Sequence, residues 1–390
     1  MSAPDRSPVS LALGGLFALA AAMGIGRFVY TPILPFMSES LQLSANAAGL
    51  IAAANFLGYL VGALAGAARS LPGKPRSWFL GGLLASALTS AAMAMTTDLW
   101  AFLAIRFFSG IASAFVLVFS TTLILERLNA AGRGGLSALH FAGVGCGIAF
   151  SALLIGGLDF LGTDWRGLWL ASGAVTLVFL LISLRLVPLH TPQKSTHPAD
   201  LPQQSASHGY VNGGLVRLVL AYGLFGFGYV ITATFVSTIA RTTTSLQPSE
   251  PFVWLSVGIC AAPSIFLWNK AAGALGARRA FALACVLEAL GVALTVISEE
   301  PGMFLLGAAL LGITFMGITA LGLMEARQQA SVGGPAAIRQ MLAILTASFG
   351  LGQVIGPWFA GRLHAVTGSF EAPSLAAAAA LLVAAALVVR

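Results

Sequence analysis

Twelve long apolar runs, separated by short polar connections, fill most of this 390-residue chain: 11–36, 47–68, 78–95, 99–125, 136–158, 165–187, 215–240, 252–268, 280–297, 303–324, 336–363 and 375–389. A helix of about 20 apolar residues crosses the hydrocarbon layer of a bilayer, and most of these runs meet that length. The pattern therefore predicts an all-α integral membrane protein with twelve transmembrane helices. The first run is too long, and too far from a small-residue cleavage pattern, to be a removable signal, and eleven more follow it.

The one long polar connection, 188–213, is rich in Pro, Ser, Gln and His and predicts a cytoplasmic linker between a six-helix bundle at 11–187 and a second at 214–389. Sliding one half onto the other sets Gly24-x-Gly26-Arg27 on Gly226-x-Gly228-Tyr229, and Phe102-Leu103 with Gly110-Ile111 on Phe304-Leu305 with Gly312-Ile313. A slightly different offset pairs Gly143, Gly145 and Gly147 with Gly350, Gly352 and Gly356. Small residues let membrane helices approach and slide, so these are candidate conformational glycines, and six-plus-six repeats around a central site are a recurring transporter plan.

Composition agrees: 58% of residues are hydrophobic and 8% charged, against roughly 25% charged in soluble domains. The net charge of +7 calls for no nucleic-acid partner, because the basic residues cluster in alternate connections. With the N-terminus in the cytoplasm, the inner segments hold Lys74, Arg76, Arg127, Arg133, Arg217, Lys270, Arg278, Arg279, Arg327 and Arg339 among others, whereas the opposite loops hold Glu39, Asp98, Asp159, Asp164, Glu250, Glu299, Glu300 and Glu371. The positive-inside rule then puts both termini in the cytoplasm. Cys146, Cys260 and Cys285 lie in three separate runs and suggest no disulfide framework or metal pair. His190, His197 and His208 are scattered in the linker and read as solvated. No phosphate-binding loop, nucleophile elbow or metal-ligand pair is present in the sequence, so neither an enzyme nor a cofactor is expected.

The sequence from Gly24 to Met37, G-I-G-R-F-V-Y-T-P-I-L-P-F-M, resembles the signature of the YbfB/YjiJ-type branch of the major facilitator superfamily, and Gly223 to Phe235, G-L-F-G-F-G-Y-V-I-T-A-T-F, resembles that branch's seventh helix. Arg106-Phe107-Phe108-Ser109-Gly110 is similar to the superfamily's fourth-helix arginine motif, with Ser109 where glutamine is common. The loop at 66–76 keeps glycine and basic residues but lacks the usual aspartate; its counterpart at 275–279 keeps a glycine and an arginine pair. The resemblance implies the major facilitator fold, with helices one, four, seven and ten lining a cavity, which places Arg27 and Arg106 on cavity helices.

An arginine at the centre of a membrane helix costs about 2.5–3.5 kcal/mol on insertion scales, so it faces a partner or a watery cavity. Arg27 and Arg106 are candidates for a positive site binding a carboxylate or similar anion through paired donors; the alternative is that either binds helix carbonyls and sets packing. Tyr30 and Thr31 share the face of Arg27 and could add hydrogen bonds, with Tyr229 and Thr232 as their counterparts in the second half. Glu288, the acidic residue well inside a span, and His140 are candidates for proton coupling, against packing roles for each. Asn55 and Gln353 are either cavity or helix-helix polar groups.

The expected function is secondary active transport of a small organic solute, an organic anion, by alternating access across the bacterial inner membrane, as a functional monomer. By resemblance the driving ion is a proton. A multidrug exporter of hydrophobic compounds and a non-transporting membrane sensor with the same fold are the alternatives.

Overall fold

The computed structural model describes residues 7–68, 71–187 and 213–389, and no strand occurs among them. Twelve long helical segments follow one another: α1 (Pro8–Leu41), α2 (Ala45–Ala67), α3 (Pro75–Met93), α4 (Leu99–Ala130), α5 (Ser137–Phe160), α6 (Trp165–Leu186), α7 (Gly213–Thr242), α8 (Glu250–Leu275), α9 (Ala277–Ile297), α10 (Pro301–Ala330), α11 (Gly334–Thr367) and α12 (Glu371–Val389). Several starts carry side-chain caps. Ser44 accepts from the Ala47 amide (3.2 Å), Asp98 from Ala101 (2.9 Å) and Asp164 from Gly167 (2.9 Å), supplying acceptors to amides that the first turn leaves free. Gly276 (φ 81°) and Gly368 (φ 75°) make the sharp exits from α8 and α11 in a left-handed region that other residues adopt at a cost.

Eleven of these segments are long and apolar enough to cross a membrane. The exception is α3, where twelve runs had predicted a spanning helix; its 19 residues include Arg76 and several Ser and Thr, and they dilute its hydropathy while α4 and α6 pack along it. The helices also outrun the apolar runs. α10 has 30 residues and α11 has 34, because helical hydrogen bonding continues past the point where side chains turn polar.

The packing repeats. In the first six helices α2 and α3 pack on α4, α3 on α6, and α1 on α5 and α6; in the last six α8 and α9 pack on α10, α9 on α12, and α7 on α11 and α12. Two seams, α5 with α8 and α2 with α11, join the sets, and the second part of α1 meets α7. The glycines predicted to be conformational lie along these contacts. Gly143 and Gly147 press on the backbone of α1 at Leu16 and Ala20, Gly352 and Gly356 press on α7 at Gly223 and Phe227, Gly145 meets the Ala262 backbone across the α5/α8 seam, and Gly350 meets the Leu60 side chain across the α2/α11 seam. The predicted linker at 188–213 falls, but for its last residue, outside the described residues.

α1 is broken in the middle. An α-helical stretch (Pro8–Leu19) runs into a π-helical segment (Ala20–Ile25), then a turn through residues 26–29 where the regular hydrogen-bond ladder lapses although Gly26 and Val29 keep helical dihedrals, and regular helix resumes at Tyr30–Leu41. Pro32 has no amide hydrogen to give to the carbonyl four residues back, and its ring crowds that carbonyl. Around it the amides reach back by irregular steps, Gly26 to Ala21 (2.8 Å), Phe28 to Met23 (3.1 Å) and Thr31 to Phe28 (3.2 Å).

A Gly147→Leu substitution drives a side chain into the α1 backbone, whereas Gly156, on the same helix, faces open space. Overpacking of this kind costs about 1–3 kcal/mol, so thermal unfolding in detergent is expected to show a clearly lower midpoint for Gly147→Leu and one near wild type for Gly156→Leu.

Candidate functional site

The break in α1 leaves main-chain carbonyls at 26 and 27 in need of donors inside the membrane, where each unpaired group is expensive. Arg106 supplies them. Its two terminal nitrogens donate to the carbonyls of Gly26 (3.1 Å) and Arg27 (2.9 Å), and the Ser109 hydroxyl, one turn along α4, adds a bond to Gly26 (3.1 Å). The guanidinium lies 5.1 Å from the centre of the Tyr30 ring and 5.9 Å from that of Trp169. Behind it, Asn55 of α2 donates to the Arg106 carbonyl (3.0 Å), and Gly110 lets α2 and α4 approach to backbone contact.

Arg27 points the other way, toward the last six helices. It donates to Gln353 Oε1 of α11 (3.0 Å), and the Gln353 amide in turn donates to the Tyr229 hydroxyl of α7. Its guanidinium carbon stands 3.9 Å from the ring centre of Tyr59, 4.8 Å from Phe56 and 5.3 Å from Phe28. Among the described residues no ion pair forms at Arg27 or Arg106. Arg27 is 3% exposed, so a full positive charge sits at the junction of the two helix sets with aromatic faces and one amide around it, and Nε has no partner.

Of the other residues singled out from the sequence, Tyr30 and Thr31 both bond backbone carbonyls, Tyr30 that of Ala48 (2.9 Å) and Thr31 that of Ala233 in α7 (2.6 Å). Tyr229 joins Arg27 through Gln353, while Thr232 is buried with its hydroxyl unpartnered. Glu288 of α9 is fully buried and neither carboxyl oxygen has a hydrogen bond. The Thr314 hydroxyl on α10 donates instead to the Leu310 carbonyl (2.6 Å). His140 is packed at the crossing of α1, α4 and α5, with Nε2 3.3 Å from the Ser120 hydroxyl and Gly15 against its ring. It lies apart from the Arg27 group. Among the described residues no cluster of His, Cys, Asp and Glu could hold a metal ion.

Polar contacts between the helix sets sit at mid-depth and toward the end where α1 finishes. Besides Arg27–Gln353 and Thr31–Ala233, Arg241 of α7 pairs with Glu39 (3.4 Å) and Asp159 (3.9 Å) and lies over the Phe36 ring (4.0 Å). A vestibule of about 680 Å³ lies beside this closure, lined in part by Ser38, Glu39, Arg241 and Glu250.

Residues 19–389 match the family described as "Uncharacterised MFS-type transporter YbfB". The chain belongs to that family. Relatives include an uncharacterized MFS-type transporter of Yersinia pestis (strain Pestoides F), 29% identical over 234 residues that make up 58% of this chain and 58% of the relative. Another, from Yersinia enterocolitica, is 28% identical over 232 residues, again 58% of each. The chain thus spans 58% of the length of the curated relatives it matches. Among solved structures, a point mutant of nucleoside transporter NupG superposes with a TM-score of 0.75 at 16% identity, covering 98% of this chain and 99% of that one. A bacterial homologue of the human lysosomal transporter Spinster, inward-facing and occupied, gives 0.72 at 16%, covering 100% and 97%. These likenesses establish the major facilitator fold.

Within this family frame the site includes residues that the sequence did not single out: Phe56 and Tyr59 around Arg27, and Phe315 and Phe349, whose rings lie within 8° and 3° of parallel to Tyr229. The available signal was spacing, since Phe56 and Tyr59 are one and four positions after Asn55, but an apolar helix full of aromatics does not say which of them face a charge.

Arg106→Ala leaves the buried Arg27 carbonyl without a donor, at about 1–3 kcal/mol, and the Gly26 carbonyl with Ser109 alone, whereas Arg27 gives one side-chain hydrogen bond. Thermal unfolding without ligand is expected to show a larger loss for Arg106→Ala than for Arg27→Ala; the reverse order would remove Arg106 from the role of holding the α1 break.

Proposed function

We propose that this chain is a secondary active transporter carrying a small organic anion across the bacterial inner membrane by alternating access. One observation carries the reading: Arg27 holds a permanent positive charge at the junction of the two helix sets, buried, with no carboxylate paired to it and three aromatic faces around it. A guanidinium binds a carboxylate through two parallel donors, and an anion entering here replaces the single Gln353 contact with a charged one. Arg106 acts as the positioning residue that fixes the α1 break and with it the direction of Arg27. Tyr229 and Gln353 complete the polar wall from the last six helices, and Thr232 offers a further hydroxyl on the same helix as Tyr229.

The two six-helix sets act as the rocking bodies, with the linker at 188–213 between them. The glycine contacts along α5/α8 and α2/α11 present smooth backbone surfaces at the seams, and the ion pairs of Arg241 tie one end shut. The charge bias of the connections supports assigning that closed end to the outer face and both termini to the cytoplasm.

For the coupling ion, Glu288 is the candidate that the geometry favours over His140. A buried carboxyl with neither hydrogen bond nor countercharge is a place where gain and loss of one proton changes the local free energy strongly. His140 is sealed among helices of the first set.

Proteoliposome flux tests both parts. Carboxylate uptake is expected in the wild type and lost in Arg27→Ala, with amines and hydrophobic cations not carried; carriage of hydrophobic cations that survives Arg27→Ala would favour an exporter, and ligand stabilisation without flux a sensor. Glu288→Gln is expected to retain counterflow exchange while losing the response of net uptake to an imposed pH gradient, and a retained response would exclude Glu288 as the proton carrier.

A further inference from the structure

The hydrogen bond from Arg27 to Gln353 joins two ends that belong to different helix sets. Arg27 is fixed to the first set: its own carbonyl accepts from Arg106 of α4 (2.9 Å), and its guanidinium lies over the Tyr59 ring of α2 (3.9 Å). Gln353 is fixed to the second. Gly352 beside it presses α11 onto the α7 backbone at Gly223 and Phe227, and the Gln353 amide nitrogen donates to the Tyr229 hydroxyl of α7. The Tyr229 ring is in turn stacked on those of Phe315 (5.7 Å) and Phe349 (5.9 Å). This donor sets the orientation of the amide, Nε2 toward Tyr229 and Oε1 toward Arg27 (3.0 Å). The reverse orientation points an NH2 group at a guanidinium, two donors with no acceptor between them.

Gln353 Oε1 thus stands where a carboxylate oxygen of the solute has to stand. It is an sp² oxygen at hydrogen-bond distance from a terminal nitrogen of Arg27, and both side chains are buried. It is also a weaker partner than a carboxylate. It carries no charge, it offers one oxygen instead of two, and it leaves Nε of Arg27 without a partner. A guanidinium buried with no acceptor is costly, so closing the junction around Arg27 without a solute requires a stand-in, and the second helix set brings one.

We infer that Gln353 is a built-in surrogate for the solute's carboxylate. The solute competes with it for Arg27, which lowers the apparent affinity. In exchange, the unloaded carrier passes through the junction-closed arrangement with Arg27 partnered, so the protein moves solute in net fashion and is not confined to swapping one solute for another. The inference rests on the anion reading of Arg27 and adds to it how the unloaded carrier returns.

The test uses the purified full chain with four labelled carboxylates, acetate, pyruvate, benzoate and succinate, and compares wild type, Gln353→Leu, Gln353→Glu and Arg27→Ala. Net uptake into empty proteoliposomes and exchange into preloaded ones are read separately, together with binding and the thermal midpoint in detergent. In Gln353→Leu the ratio of net uptake to exchange is expected to fall at least about tenfold. The bound carboxylate is expected to be held about tenfold more tightly there, the yield of one hydrogen bond to a charged group. Gln353→Glu sets a carboxylate on Arg27 permanently, so binding is expected to be lost and the midpoint to rise; this variant decides the matter if Gln353→Leu does not fold. An unchanged ratio in Gln353→Leu, or carboxylate binding in Gln353→Glu equal to that of the wild type, overturns the surrogate role, while loss of binding in Arg27→Ala keeps the anion site. If Arg27→Ala binds as the wild type does, or if none of the four carboxylates binds the wild type, the anion site falls and this inference with it.

Discussion

The guanidinium of Arg106 against the carbonyls of Gly26 and Arg27 is the contact on which the centre of this molecule depends. A membrane helix is stable because its backbone is internally satisfied, and a break at mid-depth forfeits that advantage unless donors arrive from elsewhere. Here the donors come from α4, with Ser109 helping and Asn55 fixing α4 from behind. A lysine has one charged nitrogen on a flexible stem; the planar fork of arginine reaches two adjacent carbonyls at once. The same residue that looks from the sequence like a second anion ligand thus has its terminal nitrogens committed to backbone, whereas those of Arg27 are not.

Once the break is held, the rest of the site follows from its direction. The turn through 26–29 aims Arg27 at Gln353 and places Phe28 against Trp254 and Phe315. After the break, Tyr30 and Thr31 give their hydroxyls to Ala48 and Ala233, so they stitch α1 to its neighbours. The second set has no counterpart to the break: α7 runs as one helix from Gly213 to Thr242, and where the sequence repeat puts Arg27 on Tyr229 the structure shows a charge on one side and a hydroxyl-bearing ring on the other, bridged by an amide. The repeat in packing is therefore accompanied by an asymmetry in chemistry.

The aromatic lining also bears on motion. Ring faces and glycine-backbone contacts have few directional bonds to break, and the directional contacts across the halves among the described residues include Arg27 with Gln353, Thr31 with Ala233, and Arg241 with Glu39 and Asp159. The Arg241 pairs are partly exposed and each contributes about 0–1 kcal/mol in such settings, so the closed end is held by contacts weak enough to be exchanged for others.

The sequence by itself determined the class of the molecule. Twelve apolar runs, most of them of spanning length, the charge bias between alternate connections, and the motifs around Arg27, Arg106 and Tyr229 pointed to a helical membrane protein of the major facilitator kind, because hydropathy is a local property that each run carries by itself. It also marked the glycines, whose close contacts follow from having no side chain. It did not decide that α1 is discontinuous, that Arg106 serves the carbonyls of that discontinuity while Arg27 does not, or that Phe56, Tyr59, Trp254 and Phe315 face the centre while other aromatics face lipid. Those were decided by the tertiary structure alone: in a uniformly apolar helix the lipid-facing and centre-facing residues are chemically alike, and only the packing of one helix on another determines which donor meets which acceptor.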